Sequence, residues 1–237
     1  MPRLPAADVI VPGWRTIGVI GGMGPAATAD FLTRLVAGVD AASDVDHPRV
    51  LVDSNPHVPD RNAAARGEGP SPGPALAAMA QALVVQGAEL LAMPCNAAHG
   101  WADAITAAAP NAAFLSMIDA AVAEAMVQGP RRIGVLAVGA TLALDLYGKA
   151  SPVPVLAGDL AVVQPAVNAI KAGARDAATR AALAGEAARL VAAGADVIIA
   201  ACTEVPLLLG QADVPVPLID STAALARATL AAARLSG

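Results

Sequence analysis

The sequence predicts an α/β protein of two similar lobes, each with a parallel sheet, related by internal duplication. Three observations carry that prediction. Short apolar, strand-like runs alternate with alanine-rich helical stretches, the pattern of parallel α/β folds. The order of landmarks then restarts at mid-chain: Ile17-Gly18-Val19-Ile20 returns as Ile133-Gly134-Val135-Leu136, the helix–Gly–strand–Cys unit ending Gly87 to Cys95 returns at Gly194 to Cys202, and Ile118-Asp119 returns as Ile219-Asp220. Finally, the only two cysteines of the chain occupy matching places in that repeat.

Taken in order, residues 16–20 form a β-branched strand that breaks at Gly21-Gly22-Met23-Gly24-Pro25. Pro25 suits the first position of the helix predicted over 26–39, where a missing N–H costs nothing. Residues 50–52 form a second strand, ending at Asp53-Ser54-Asn55. The Pro- and Gly-rich stretch 56–74, with Asp60-Arg61 inside it, reads as a long functional loop of the lid type. A helix over 75–86 closes at Gly87, and the strand 89–93 leads to Cys95. A short helix over 101–109 ends at Pro110, a fourth strand spans 114–118 and stops at Asp119, and a helix covers 120–128.

In the second half, a strand over 132–138 runs into Gly139-Ala140-Thr141, and 153–156 is a weak second strand. Helices are predicted over 164–172, carrying Lys171, and over 175–193, closed by Gly194. The strand 197–201 leads to Cys202, the strand 216–219 ends at Asp220, and a final helix runs to Leu235.

Composition narrows the function. Hydrophobic residues make up 56% of the 237, but much of that is alanine and aromatics are only 2%; this favours helices and close helix–sheet packing. No apolar run approaches the roughly 20 uncharged residues of a spanning helix. Residues 1–13 hold Arg3, Asp8 and three prolines without an apolar core, so they read as an N-terminal extension and not a signal peptide. A net charge of −5, without a basic stripe, argues against nucleic acid. Free thiols in a cytoplasmic protein fit the two cysteines better than a disulfide framework. Three histidines and two cysteines, in no ligand-spaced cluster, give no metal site.

The chemistry centres on Pro94-Cys95-Asn96-Ala97-Ala98-His99 and Cys202-Thr203-Glu204-Val205-Pro206. Each cysteine follows a strand and precedes a small hydrogen-bonding residue, which places it at the carboxyl edge of a sheet, where open α/β folds bind ligands. Two thiols on one substrate suit inversion of a carbon bearing a hydrogen: one removes a proton from one face while the other delivers a proton to the opposite face. A free thiol titrates near 8.5, so a modest downward shift leaves a useful thiolate fraction at neutral pH. Asn96, Thr203 and nearby backbone N–H groups are placed to stabilise the developing carbanion, and helix N-termini favour a substrate carboxylate. Arg61 and Lys171 are candidate cations for carboxylates. Other readings stay open. Gly22-x-Gly24-x-x-Ala27 with Asp53 fits a dinucleotide fingerprint. Cys95 with His99 could be a nucleophile and base, since a helical turn after Cys95 would bring both to one face. The cysteines could also be buried hydrophobes, and Arg61 and Lys171 solvated charges.

Four stretches together resemble the aspartate/glutamate racemases that work without pyridoxal phosphate: residues 17–25, 53–61 (Asp53-Ser54-Asn55-Pro56 through Val58-Pro59-Asp60-Arg61), 94–99 and 202–207. The resemblance covers nearly all of the chain after Trp14. It implies Rossmann-like lobes with the active site between them, and Cys95 and Cys202 as the acid/base pair with no cofactor. It also implies carboxylate contacts from Arg61 and Lys171, a pocket lined by Met23, Asn55, Asn96 and Thr203, supporting places for His99 and Glu204, and a homodimer acting on a small amino-acid or dicarboxylate substrate. By the same likeness the chain end returns to the first lobe, giving lobes of residues 14–117 plus 216–237 and 118–215. Two positions differ from the family pattern: Ala97 stands where Thr is common, and Gly139-Ala140-Thr141 is one residue longer than the usual Gly-Thr. The choice among aspartate, glutamate and related acids therefore stays open, as do the hydantoin racemase and maleate isomerase reactions of the superfamily, and a binder without catalysis.

Overall fold

Two four-stranded parallel sheets form the framework, in the orders β2-β1-β3-β4 and β6-β5-β7-β8. The structure is a computed structural model that describes residues 13–235; the expected N-terminal extension, Gly13 apart, lies outside the described residues. The first half contains β1 (Ile17–Gly21), α1 (Pro25–Ala37), β2 (Val50–Ser54), α2 (Arg61–Ala65), α3 (Gly73–Val85), β3 (Leu90–Ala92), α4 (Ala102–Ala108), β4 (Ala113–Leu115) and α5 (Met117–Val127). The second contains β5 (Ile133–Ala137), α6 (Gly139–Ala143), α7 (Leu146–Ala150), β6 (Val155–Ala157), α8 (Leu160–Lys171), α9 (Ala177–Ala192), β7 (Val197–Ala201), β8 (Leu218–Asp220) and α10 (Ser221–Ala233). The strand order reverses between β1 and β3 and again between β5 and β7, so each lobe has the switch point at which α/β sheets bind ligands.

The duplication extends to packing. Gly18 lies in β1, where an added Cβ would meet Ala88 Cβ and Leu91 Cδ2 at 2.8 Å and Leu83 Cβ at 3.3 Å; Gly134 lies in β5, where it would meet Ile198 Cδ1 at 2.6 Å and Ala195 and Leu190 Cβ at 3.2 Å. Leu83, Ala88 and Leu91 stand at the same spacing before Cys95 as Leu190, Ala195 and Ile198 before Cys202. Gly87 and Gly194, which end the preceding helices, take φ +101° and +98°, values open to glycine and strained for other residues.

Each sheet is covered on both faces. In the first lobe Ile20, Leu91, Leu76, Leu83 and Ile105 form the core beneath α3 and α4, while Ile17, Val19, Leu90 and Ala92 pack with Phe31 and Leu35 of α1 and Leu225 and Leu230 of α10. In the second lobe Leu136 and Ile198 pack against α8 and α9, and Ile133, Val135, Val197 and Ile199 against α5 and Tyr147 of α7. The helix that follows the last strand of each sheet thus covers the other lobe's sheet.

Several expectations are corrected. Residues 218–220 do not belong to the first lobe: β8 pairs with β7 at Ile198–Leu218, Ile199–Ile219 and Ala200–Asp220, so the return crossing falls at Asp220–Ser221 and only α10 reaches the first lobe. β4 stops at Leu115 and not at Ile118, because the Ser116 hydroxyl accepts the Asp119 N–H and starts α5 early. The counterpart of the N-cap Asp220 is therefore Ser116, and the pairing of Ile118-Asp119 with Ile219-Asp220 is out of register. The stretch 56–74 is not irregular throughout: Asp60 accepts the Ala63 N–H and caps α2, and α3 begins at Gly73. α8 starts at Leu160, four residues before the expected Gln164, because Asp159 caps it; Pro165 then lies inside the helix. No helix of the described residues is long and apolar enough to cross a membrane.

Candidate active site

The cysteines meet in one cleft between the lobes. Cys95 follows β3 of the first sheet and Cys202 directly follows β7 of the second; both are buried, unbridged thiols. The cleft is lined by Met23, Arg61, Asn96, Lys171, Thr203 and Glu204 around the two thiols, with Asp60, Asn62, Ala97 and Val138 completing the wall. Its cavity is about 30 Å³, space for about two waters, so the lobes stand close together.

Local structure positions each group. Gly22 takes φ +93°, and an added Cβ there would lie 2.4 Å from the Asn55 backbone; Met23, the next residue, lines the cleft. The Gly22 N–H donates to Thr28 Oγ1 at 2.8 Å, and the Gly24 carbonyl accepts from the Thr28 N–H. Arg61 opens α2, where its Nη1 donates to the carbonyls of Val58 and Pro59 at 3.2 and 3.1 Å. Its Nε is buried without a partner, a donor available to a ligand carboxylate. The α2 segment is fastened to the opposite lobe, since Asn62 Oδ1 accepts the Ala140 N–H at 2.8 Å at the start of α6.

Glu204 dominates the electrostatics at Cys202. Its Oε2 accepts from Cys202 Sγ and from Thr203 Oγ1, both at 3.1 Å, and its Oε1 lies 3.9 Å from Lys171 Nζ. Burial, first, and then the adjacent Glu204 carboxylate push the Cys202 thiol well above its ordinary value. Burial also raises Cys95, but Arg61 and Lys171 oppose the shift there. The downward shift expected for the thiols is thus reversed: both are raised, and Cys95 has the more thiolate-friendly surroundings.

Two predicted residues lie outside the cleft lining. Asn55 Oδ1 accepts the His57 N–H at 2.9 Å in a local turn. His99 accepts the Met117 N–H on Nε2 at 2.9 Å, so its proton sits on Nδ1 and is donated to the Cys95 carbonyl at 2.8 Å. With both ring nitrogens bonded to backbone, His99 holds the end of β3 to the start of α5, and burial lowers its pKa to about 4. That arrangement removes the reading of His99 as a base for the Cys95 thiol. The dinucleotide reading also loses its ground: Asn55 fills the approach to Gly22, and the Glu204 carboxylate stands 3.7 Å from the Cβ position of Gly24, where a pyrophosphate would need positive surroundings.

Sequence reasoning missed Tyr147 and Ser221. Tyr147 Oη donates to Asn96 Oδ1 at 2.6 Å, Asn96 Nδ2 donates to Ser221 Oγ at 3.0 Å, and Ser221 Oγ donates to the Ala200 carbonyl at 2.8 Å. The available signal was that Tyr147 is the only tyrosine in the chain, and a buried phenol seeks a partner.

Compared with known proteins, the chain matches the family described as Asp/Glu/Hydantoin racemase over residues 20–229. The chain belongs to that family. Among racemase relatives, it is 28% identical over 230 residues to the broad specificity amino-acid racemase RacX of Bacillus subtilis (strain 168), an alignment covering 90% of this chain and 96% of the relative. Its racemase fold superposes on Picrophilus torridus aspartate racemase with a TM-score of 0.79 and 28% identity, covering 94% of this chain and 96% of that one. The glutamate racemase of Francisella tularensis subsp. tularensis SCHU S4, solved with D-glutamate, shares the fold at a TM-score of 0.66 and 18% identity, covering 92% of this chain and 80% of that one.

Proposed function

We propose that this chain is a cofactor-independent amino-acid racemase of the aspartate/glutamate type, with Cys95 and Cys202 as its two acid/base residues. The observation that carries the reading is one cleft lined by two thiols from equivalent strands of two duplicated sheets, together with Arg61 and Lys171. In one direction the thiolate of one cysteine takes the Cα hydrogen as a proton, and the electron pair passes into the substrate carboxylate. The thiol of the other cysteine then delivers its proton to the opposite face of Cα and is left as thiolate. The roles exchange for the reverse reaction. Arg61, through its unpartnered Nε, and Lys171 anchor carboxylates; Met23 and Thr203 shape the pocket and Glu204 sets the protonation of Cys202. Asn55 and His99 support the cleft through the backbone.

The small Ala97 side chain in the cleft wall, and the broad specificity named for the Bacillus subtilis relative, favour a substrate range that extends beyond the two acids. The test is proton NMR in D2O with L and D forms of aspartate, glutamate and a panel of neutral amino acids, with hydantoins and maleate as controls. Deuterium entering at Cα with loss of optical rotation supports the reading, and Cys95→Ser and Cys202→Ser should each abolish racemisation. Full activity in both single variants overturns the two-base mechanism, and turnover of hydantoins or maleate alone moves the assignment to those reactions. Ligand-induced stabilisation without turnover of any panel member identifies a binder. A homodimer in the cytoplasm belongs to the same reading, and light scattering on the purified protein checks its assembly.

A further inference from the structure

The hydrogen-bond chain Tyr147–Asn96–Ser221–Ala200 fixes the sense of one amide in the cleft. Ser221 has a single hydroxyl hydrogen and gives it to the Ala200 carbonyl, so toward Asn96 it can only accept, and the group facing it is Nδ2. The Tyr147 hydroxyl donates to Oδ1 on the other side. Asn96 and Ser221 are buried at 2% and 0% exposure and Tyr147 at 2%, so water does not compete for these bonds. One of the two hydrogens on Nδ2 is used; the second has no protein partner among the described residues. Asn96 follows Cys95 in the chain and lines the same cleft as both thiols.

We propose that Tyr147 and Ser221 are positioning residues that lock the Asn96 amide so that its second Nδ2 hydrogen serves as a fixed donor to the substrate carboxylate while Cα loses its proton. The proposal rests on the racemase reading and deepens it. Negative charge grows on the carboxylate oxygens as the proton leaves, and a donor already held in place stabilises that charge without reorganisation. A carbonyl oxygen turned to the same position would repel it. The partners also come from different elements: Asn96 from the first lobe, Tyr147 and Ala200 from the second, and Ser221 from the start of the crossing helix. The donor is therefore set only when the lobes are together.

The test is a double-variant cycle on Cα deuterium exchange, using the full chain and the best substrate of the panel. Tyr147→Phe should lower kcat about tenfold with KM changed far less, and Ser221→Ala should act in the same direction. Asn96→Ala should cost at least as much, and adding Tyr147→Phe to it should have no further effect, because Tyr147 acts through Asn96. Nitrogen-15 NMR of the Asn96 side-chain amide, assigned by its disappearance in Asn96→Ala, should show one slowly exchanging hydrogen, the one given to Ser221, that loses protection in Tyr147→Phe. Additive losses in the cycle, an unchanged kcat in Tyr147→Phe with only a lowered Tm, or amide protection that ignores Tyr147 overturns the proposal while leaving the racemase reading intact. Absence of exchange by the unaltered protein on every amino acid overturns the racemase reading itself, and the proposal with it.

Discussion

At the scale of single residues, the two thiols are chemically unequal although their strands are equivalent. Cys202 gives its hydrogen to Glu204, whereas Cys95 has the Arg61 guanidinium acting against its burial, with Lys171 acting on both thiols. Iodoacetamide should therefore label Cys95 before Cys202 as pH rises, since the thiolate is the reactive form; mass spectrometry of timed digests reads the order. Glu204→Gln removes the carboxylate charge that raises Cys202, so Cys202 labelling should begin at lower pH in that variant. Preferential labelling of Cys202 in the unaltered protein would contradict the asymmetry. The cysteines were legible in the sequence because each sits at a strand end that recurs. Glu204 could be named as a neighbour, but its direction could not, because which side chain accepts from a thiol depends on the turn after the strand.

At the scale of elements, the glycines of β1 and β5 make a comparative prediction. In Gly18→Ala the new Cβ meets Ala88 Cβ, which cannot move aside, whereas in Gly134→Ala its nearest contact is the end of the Ile198 side chain, which can rotate. Overpacking of this kind costs about 1–3 kcal/mol, and urea unfolding should show the larger loss in Gly18→Ala. His99 gives a second prediction at the junction of β3 and α5. Its folded pKa, about 4, lies below the ordinary value near 6.5. The unfolded chain therefore binds a proton first as pH falls. Stability is lost between those values, by about 3 kcal/mol in all, and the loss levels off once the folded form is protonated too. The His99→Gln variant, without that titration, should lose less stability between pH 7 and 4; an identical pH dependence would exclude the assignment.

The elements show where sequence reading stops. Helix–Gly–strand–Cys units stood out because glycine at positive φ and a short apolar strand leave strong local marks. The end of β4 was misplaced because Phe114, Leu115, Met117 and Ile118 are apolar on both sides of Ser116, and only the Ser116 cap decides where strand becomes helix. The long Pro- and Gly-rich segment hid α2, whose five residues are too few to show periodicity and whose stability comes from the Asp60 cap and the contact with α6. Asn55 is expected in the pocket on the resemblance alone, yet its side chain closes its own turn. The Tyr147–Asn96–Ser221 chain joins residues 51 and 125 positions apart, a juxtaposition that no local pattern encodes.

At the scale of the whole molecule, the two ends of the described chain lie side by side. Trp14 and Arg234 form an antiparallel bridge, Arg15 N–H donates to the Ala233 carbonyl, and Leu235 N–H donates to the Gly13 carbonyl. A circular permutant with its ends joined by a flexible linker and reopened at the exposed Gly129 turn should therefore fold, with the lobes in exchanged order. Far-ultraviolet circular dichroism and a cooperative melt check this; loss of cooperative unfolding would show that the passage from α5 to β5 is needed to assemble the lobes.

The reciprocal exchange of α5 and α10 has a mechanical consequence. The chain passes between the lobes twice, after β4 and after β8, and the two crossing helices lie against each other. Two straps side by side behave as the paired hinges of a door: they permit rotation about the line that joins them and resist torsion across it. A pair of straps of this kind favours clamshell opening of the cleft over sliding of one wall past the other. Closure about such a hinge brings the Cys95 side and the Cys202 side back to the same register.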